Sequence, residues 1–230
     1  MTHYYEQKHS SPEFFSNRDL DSSEIQACLD NLIYVSLPIT PNNCNLFLHR
    51  LRSHKPTDYV FDVAVKTYIM KAEAFTYQNG PLDGTIFIND LAGATFRHLF
   101  QISMSSLRKG LKFLQEASPL DVQAVHILNV IPLFDTMFKM AKPFLWAEMI
   151  NKIHLHPSNM DYEKFYKEWI PKSCLPADYG GDLESTEELH EKQRKTFMEM
   201  RDYFLLEEQQ KNYECDQFAD EYDEKRKLQK

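Results

Sequence analysis

The side chains best suited to chemistry in this 230-residue sequence are a few histidines and a run of Phe and Met. His154 and His156 stand two apart in KIHLH, so an extended backbone puts both imidazoles on one face, and His126 sits in a second apolar stretch, AVHILNV. Two imidazoles on a strand face can share a metal, but a further ligand at metal-site spacing is missing nearby, so structural histidines and no metal are expected. No G-x-S-x-G elbow, no G-x-x-x-x-G-K-[ST] loop and no G-x-G-x-x-G turn occurs. Asp178-Tyr179-Gly180-Gly181 reads as a tight turn needing a positive φ at glycine; as a phosphate cradle it lacks a following helix N-terminus with a lysine. Cys28, Cys44, Cys174 and Cys215 are scattered without a C-x-x-C pair, which speaks against a disulfide framework or a zinc site. Catalytic residues and cofactors are therefore expected to be none, and an enzyme is the least supported reading.

The most informative segment is Ile131 to Leu145, IPLFDTMFKMAKPFL. Phe134, Met137, Phe138, Ala141 and Leu145 recur at i, i+3, i+4, i+7 and i+11, which is one face of a helix; Asp135, Lys139 and Lys142, with Met140 nearby, fall on the other. Phe and flexible, polarisable Met suit a surface that accepts variable shapes. Two readings stay open on the residues alone: a mobile lid over an apolar pocket, or an ordinary core stripe, the commoner use of such a helix.

Several elements must position these residues. Met1 to about Asp30 is polar and too thin to be a domain, and Leu37-Pro38-Ile39-Thr40-Pro41-Asn42-Asn43 is a turn-rich lead-in. Cys44–Leu51 alternates as a strand; Thr57-Asp58 offers an N-cap to a helix over Tyr59–Tyr77, stopped by Asn79-Gly80-Pro81. Thr85–Leu91 reads as a buried strand, Ser103–Glu116 as a helix, Ala124–Val130 as a second buried strand. Phe134–Ile150 is helical with an interruption at Pro143, Lys152–His156 is a short strand, Tyr162–Trp169 a short helix, and Thr186 to about Glu208 a final helix with an apolar stripe. Strands alternating with helices predict an α/β fold with a mostly parallel sheet covered by helices.

Hydrophobic residues make up 43% of the chain, enough for a real core, yet no apolar run approaches a membrane span, and Met1–Ser11 has no signal-peptide core. A cytoplasmic location is expected. The formal charge of −8 is concentrated from Asp182 onward, where the net is −6, and nucleic acid is not favoured as a partner.

The ordered set of motifs resembles the CRAL-TRIO lipid-binding family. It runs Gly84-Thr85-Ile86-Phe87-Ile88-Asn89-Asp90-Leu91-Ala92-Gly93, then Val125-His126-Ile127-Leu128-Asn129, then Lys142-Pro143-Phe144-Leu145, Lys152-Ile153-His154-Leu155-His156 and Leu175-Pro176-Ala177-Asp178-Tyr179-Gly180-Gly181. The resemblance implies a sheet floor, an apolar cavity and a movable gate helix at Pro132–Leu145, which turns the stripe toward the pocket. Phe134, Met137, Phe138, Ala141 and Leu145, with Phe87 and Leu128 from the buried strands, are then the expected pocket residues. The implied function is to bind a hydrophobic small molecule or lipid and transfer it between membranes, touching a membrane surface transiently; a cargo-less adaptor on the same fold is the alternative.

The resemblance further implies domains at 1–30, a remnant of an N-terminal helical region, 31–183, the lipid-binding domain, 184–211, an amphipathic helix, and 212–230, an acidic tail. Members that hold phosphoinositide headgroups place basic residues near the gate. Here Asp121, Gln123 and Glu148 occupy three such positions and Lys152 alone is kept, so weak headgroup binding is expected, through Lys152 with Arg108 and Lys109. Asp90, retained from the family's strand, is expected to make a structural hydrogen bond.

Overall fold

The computed structural model describes residues 2–210. Three helices come first, α1 (Thr2–Ser10), α2 (Pro12–Phe15) and α3 (Ser23–Asn31), followed by strands β1 (Leu32–Leu37) and β2 (Cys44–Leu51). Helix α4 (Phe61–Asn79) leads to β3 (Gly84–Asp90), then α5 (Phe96–Leu99), α6 (Met104–Lys112) and β4 (Val122–Leu128). The segment expected to act as a gate is α7 (Leu133–Ala141), separated by a 3-10 turn at Lys142–Phe144 from α8 (Ala147–Asn151). Strand β5 (Ile153–Leu155), α9 (Tyr162–Glu168) and α10 (Thr186–Met198) complete the set, and residues 201–210 are again helical.

The sheet order is β1-β2-β3-β4-β5, with β1 antiparallel to β2 and every other pair parallel. Right-handed crossovers that advance steadily across a sheet put their helices on one face. That face is covered by α4, α6 and α7; the other packs Leu46, Leu48, Ile88 and Leu128 against Phe165, Ile170, Leu175 and Tyr179. Side chains of β3 and β4 therefore alternate between two apolar layers, which is why both strands are continuous apolar runs.

Three local outcomes differ from the sequence expectation. Leu32–Leu37 is a strand, LIYVSL, buried at five of six positions and hydrogen-bonded along β2, in a stretch to which the sequence expectation gave no element before the lead-in at Leu37. Helix α4 starts at Phe61 with Val60 at the cap position and no side-chain cap bond; Pro56–Asp58 forms a separate 3-10 turn, so Thr57-Asp58 does not cap it. The last long helix is interrupted at residues 199–200. By contrast, α7 ends one residue before the Lys142-Pro143 pair, since a proline ring both removes a donor and clashes with the preceding turn.

Helices α1–α3 are tied in by charge as well as packing. Arg18 is fully buried and pairs with Glu73 of α4 and Glu207 of the 201–210 helix, and Lys8 pairs with the same two carboxylates. The tail expected over 212–230 lies outside the described residues.

Candidate functional site

Between the sheet and its covering helices lies an apolar cavity of about 610 Å³. Its floor is Phe87 and Asn89 of β3, Val125 and Ile127 of β4, and Ile153 of β5. Helix α4 supplies one wall with Val65, Tyr68, Ile69, Ala72 and Glu73, spaced at three and four; α6 and the turn after it supply Leu107, Leu111, Phe113 and Leu114.

The remaining wall is α7. Phe134, Met137, Phe138 and Ala141 all line the cavity, with Leu145 beyond the helix end, while Asp135, Lys139 and Lys142 are exposed. The rings of Phe134 and Phe138 stack with centroids 5.7 Å apart. Met140, which the helical wheel put with the charged face, also lines the cavity. At the break after α7, Gln115 donates to the Phe144 carbonyl at 2.9 Å and accepts from the Trp146 amide at 2.8 Å. Gln115 thus ties the proline turn after α7 to the segment that follows α6.

Leu128 is a correction. It does not line the cavity; it is buried in the opposite layer with Ile88 and Leu175. The cavity takes Val125 and Ile127, and a position one residue further along a strand points the other way.

Polar groups around the cavity are few. The Tyr68 hydroxyl is buried and has no hydrogen-bond partner among the described residues. Burial pushes its pKa up, so it stays a protonated donor. Asn89 offers an amide from the floor. Behind them His49 is held neutral, its pKa lowered to about 4 chiefly by burial. Tyr4 and Tyr203 close the far end beside Glu73, to which the Tyr4 hydroxyl donates at 3.3 Å. Sequence reading did not find Tyr68, because its hydroxyl lies on an otherwise unexceptional helix face and its isolation exists only in three dimensions.

The three expected headgroup residues are not equivalent. Lys152 pairs with Glu148 at 2.8 Å and Lys109 with Glu13 at 2.8 Å, whereas Arg108 is exposed without a carboxylate partner among the described residues. On the stretch that runs from α5 into α6, Phe96, Phe100 and Met104 are exposed, Phe100 at 86%, and Ile102 between them lines the cavity.

Two further motifs stand apart from the cavity. Asp90 accepts from the Ala92 amide at 2.8 Å, Asn129 at 2.7 Å and the Tyr179 hydroxyl at 2.8 Å, so it pins the end of β3 to β4 and to the Pro176–Gly181 turn. Gly180 of that turn has φ +69°, and a Cβ on Gly181 would lie 1.9 Å from the Leu175 carbonyl oxygen. The histidines do come together: His126 Nδ1 and His156 Nε2 are 2.9 Å apart, and the His126 and His154 rings stack at 5.2 Å beneath Trp169 and Phe165. No group of three metal-binding side chains with suitable placement occurs among the described residues. His126 is fully buried and its pKa is lowered to about 3, by burial first and then by His156 and His154.

The mouse and human proteins named alpha-tocopherol transfer protein-like are each 26% identical over 183 residues, covering 79% of this chain and 52% of their own length. Clavesin-1 of Xenopus laevis is 28% identical over 102 residues, covering 44% of this chain and 30% of its own. The chain thus spans about half the length, or less, of these relatives. The solved structure of Sfh5 aligns over 70% of this chain and 59% of its own, at 14% identity and a TM-score of 0.47. The CRAL/TRIO domain profile matches residues 31–181, a stretch that holds the whole sheet, the cavity floor and the gate, and the chain belongs to that family.

Proposed function

We propose that this chain binds one hydrophobic small molecule or lipid in the cavity and carries it between membranes. The observation that carries the reading is the cavity itself: about 610 Å³, walled by apolar side chains, with one wall a helix that keeps its charges outside. That volume falls within the range of roughly 300–1,000 Å³ typical of pockets that enclose small ligands. Burial of apolar ligand surface contributes about 25 cal/mol per Å², so binding requires no chemistry from the wall. A ligand with one hydroxyl, carbonyl or similar polar group would satisfy the Tyr68 hydroxyl. Tocopherol, which appears in the names of the mouse and human relatives, is the first cargo to try.

Release follows from the same geometry. The exposed Phe96, Phe100 and Met104 and the exposed cations Arg97, Arg108, Lys139 and Lys142 lie on the segments bearing the gate and its rim. An anionic bilayer offers both an apolar interior and negative headgroups to such a surface, and α7 can exchange its cavity contacts for lipid there. Phosphoinositide binding is expected to be weak, since Lys109 and Lys152 already have carboxylate partners. No helix among the described residues is long and apolar enough to cross a membrane.

The test is transfer of fluorescent tocopherol from donor to acceptor vesicles. The reading predicts transfer that scales with protein and rises with anionic acceptor lipid. A folded protein that accelerates transfer of neither tocopherol nor any member of an isoprenoid, sterol and phospholipid panel would overturn it.

A further inference from the structure

Helix α4 brings one carboxylate to the cavity. Among the described residues that line it there is no Lys, Arg, His or Asp, and Glu73 is the single acidic side chain. The other polar groups of the lining are neutral: tyrosine hydroxyls, Thr76, Ser118 and the Asn89 amide. The Glu73 side chain is 14% exposed and accepts from the Tyr4 hydroxyl at 3.3 Å.

Glu73 belongs to a cluster of four charges. Arg18 pairs with it and with Glu207, and so does Lys8, whose ammonium lies 3.6 Å from Glu73. Two buried cations thus balance two carboxylates, and of the four side chains Glu73 alone lines the cavity. The Lys8 ammonium sits over the Tyr4 ring, 4.6 Å from its centroid, and the Arg18 guanidinium lies 4.9 Å from the centroid of Phe204. A molecule inside the cavity therefore meets the negative member of a neutral cluster, with the cations behind it. A carboxylate brought there loses its hydration, finds no unpaired cation in the wall and faces a like charge. The Tyr68 hydroxyl and the Asn89 amide can donate to it, but two neutral donors do not replace the hydration of an ion. A cargo hydroxyl or ester needs no more than these two groups offer.

We propose that Glu73 is a specificity-determining residue of the cavity, admitting lipid chains with an uncharged head and rejecting the same chains as carboxylates. The inference rests on the carrier reading above and narrows it: alcohols, esters and hydrocarbons are cargo, free fatty acids and other carboxylate lipids are not. Replacing Glu73 by Gln exposes the device. The amide oxygen still accepts from Tyr4, but Lys8 and Arg18 are left with Glu207 alone, so the cluster behind the wall gains a net positive charge. Selectivity then moves toward acids. Glu207 is the built-in comparison, because its loss leaves the same net charge while the carboxylate in the cavity wall stays.

The test is competition for the cavity on the full chain. An environment-sensitive apolar fluorophore is bound, then displaced by 1-dodecanol, methyl laurate or laurate at a pH near 7.5, where the acid is ionised. A like charge about 6 Å from Glu73, at the effective permittivity of a partly buried site, weakens binding roughly a hundredfold. Dodecanol and the ester should therefore displace the probe roughly a hundredfold more effectively than laurate. In Glu73→Gln, with folding checked by urea unfolding, the alcohol-to-acid ratio should fall at least roughly tenfold through a gain in laurate binding, and in Glu207→Gln it should stay high. Laurate that competes as well as dodecanol in the unmutated protein overturns the proposal while leaving the carrier reading intact, and this outcome needs no variant to fold. An unchanged ratio in folded Glu73→Gln, or an equal fall in Glu207→Gln, also overturns it. A folded chain that takes up neither the fluorophore nor any of the three competitors overturns the carrier reading and the proposal together.

Discussion

Replacing Phe138 by Asp separates a cavity wall from a core stripe. Phe138 lines the cavity, stacks on Phe134 and is only partly buried, so the fold has little invested in it. Fully burying a Phe side chain contributes about 1.5–3 kcal/mol, and about half of that is at stake when a ligand covers this ring. The new carboxylate is solvated in the empty protein but must be desolvated or protonated when an apolar ligand enters, a cost of about 2 kcal/mol or more. Together the loss is about 3 kcal/mol, or roughly a hundredfold in Kd. Unfolding stability should change by less than about 1 kcal/mol, as befits a side chain that keeps access to water. The control is Lys139→Asp on the exposed face of the same helix, which changes charge by more but touches no ligand. Binding of an environment-sensitive apolar fluorophore, titrated against both variants and followed by urea unfolding of each, gives the answer. Equal weakening by both substitutions, or weakening by Phe138→Asp only in step with lost stability, would refute the assignment of this face to the ligand.

Three more predictions follow from the geometry. Tyr68→Phe should leave urea stability unchanged or slightly raised, because an unpartnered buried hydroxyl is removed, while weakening a hydroxyl- or carbonyl-bearing ligand and sparing a pure hydrocarbon of similar shape. Tyr179→Phe takes a donor from Asp90 and should cost about 1.5–3 kcal/mol in urea unfolding. His126 predicts a pH dependence: its folded pKa of about 3 lies below the ordinary histidine value, so the neutral ring's contribution is complete above about pH 6.5 and is lost as pH falls toward 3. The slope from this group is about 1.4 kcal/mol per pH unit at most, and His126→Phe should flatten that part of the curve; an unchanged slope would show that the ring is not held neutral.

Much of the architecture was legible because its signals are local. The apolar runs around Phe87 and Ile127 are strands buried on both faces, and Pro143 breaks the gate segment where its chemistry requires. The stripe from Phe134 to Leu145 could be drawn on a wheel, but its target could not: a core and a cavity present the same apolar face to a helix, and only the family resemblance tipped the choice. Leu128 went to the wrong layer because a strand buried on both sides carries no polar alternation to fix its facing. The first strand escaped for a related reason: LIYVSL is short and gains its identity from pairing with β2. Lys109 and Lys152 looked available as headgroup ligands, since Glu13 lies 96 positions away from one and Glu148 was read as a lost cation for the other, not as a partner. The Tyr68 environment is defined by what is missing around it, and a linear sequence carries no record of an absent partner.

The most direct measurement of the central claim is native mass spectrometry of the purified chain, paired with solvent extraction of whatever it carries. The account predicts one hydrophobic molecule per chain, released on unfolding and displaced in Phe138→Asp but not in Lys139→Asp. A folded chain that stays empty after incubation with tocopherol and with the isoprenoid, sterol and phospholipid panel would contradict it.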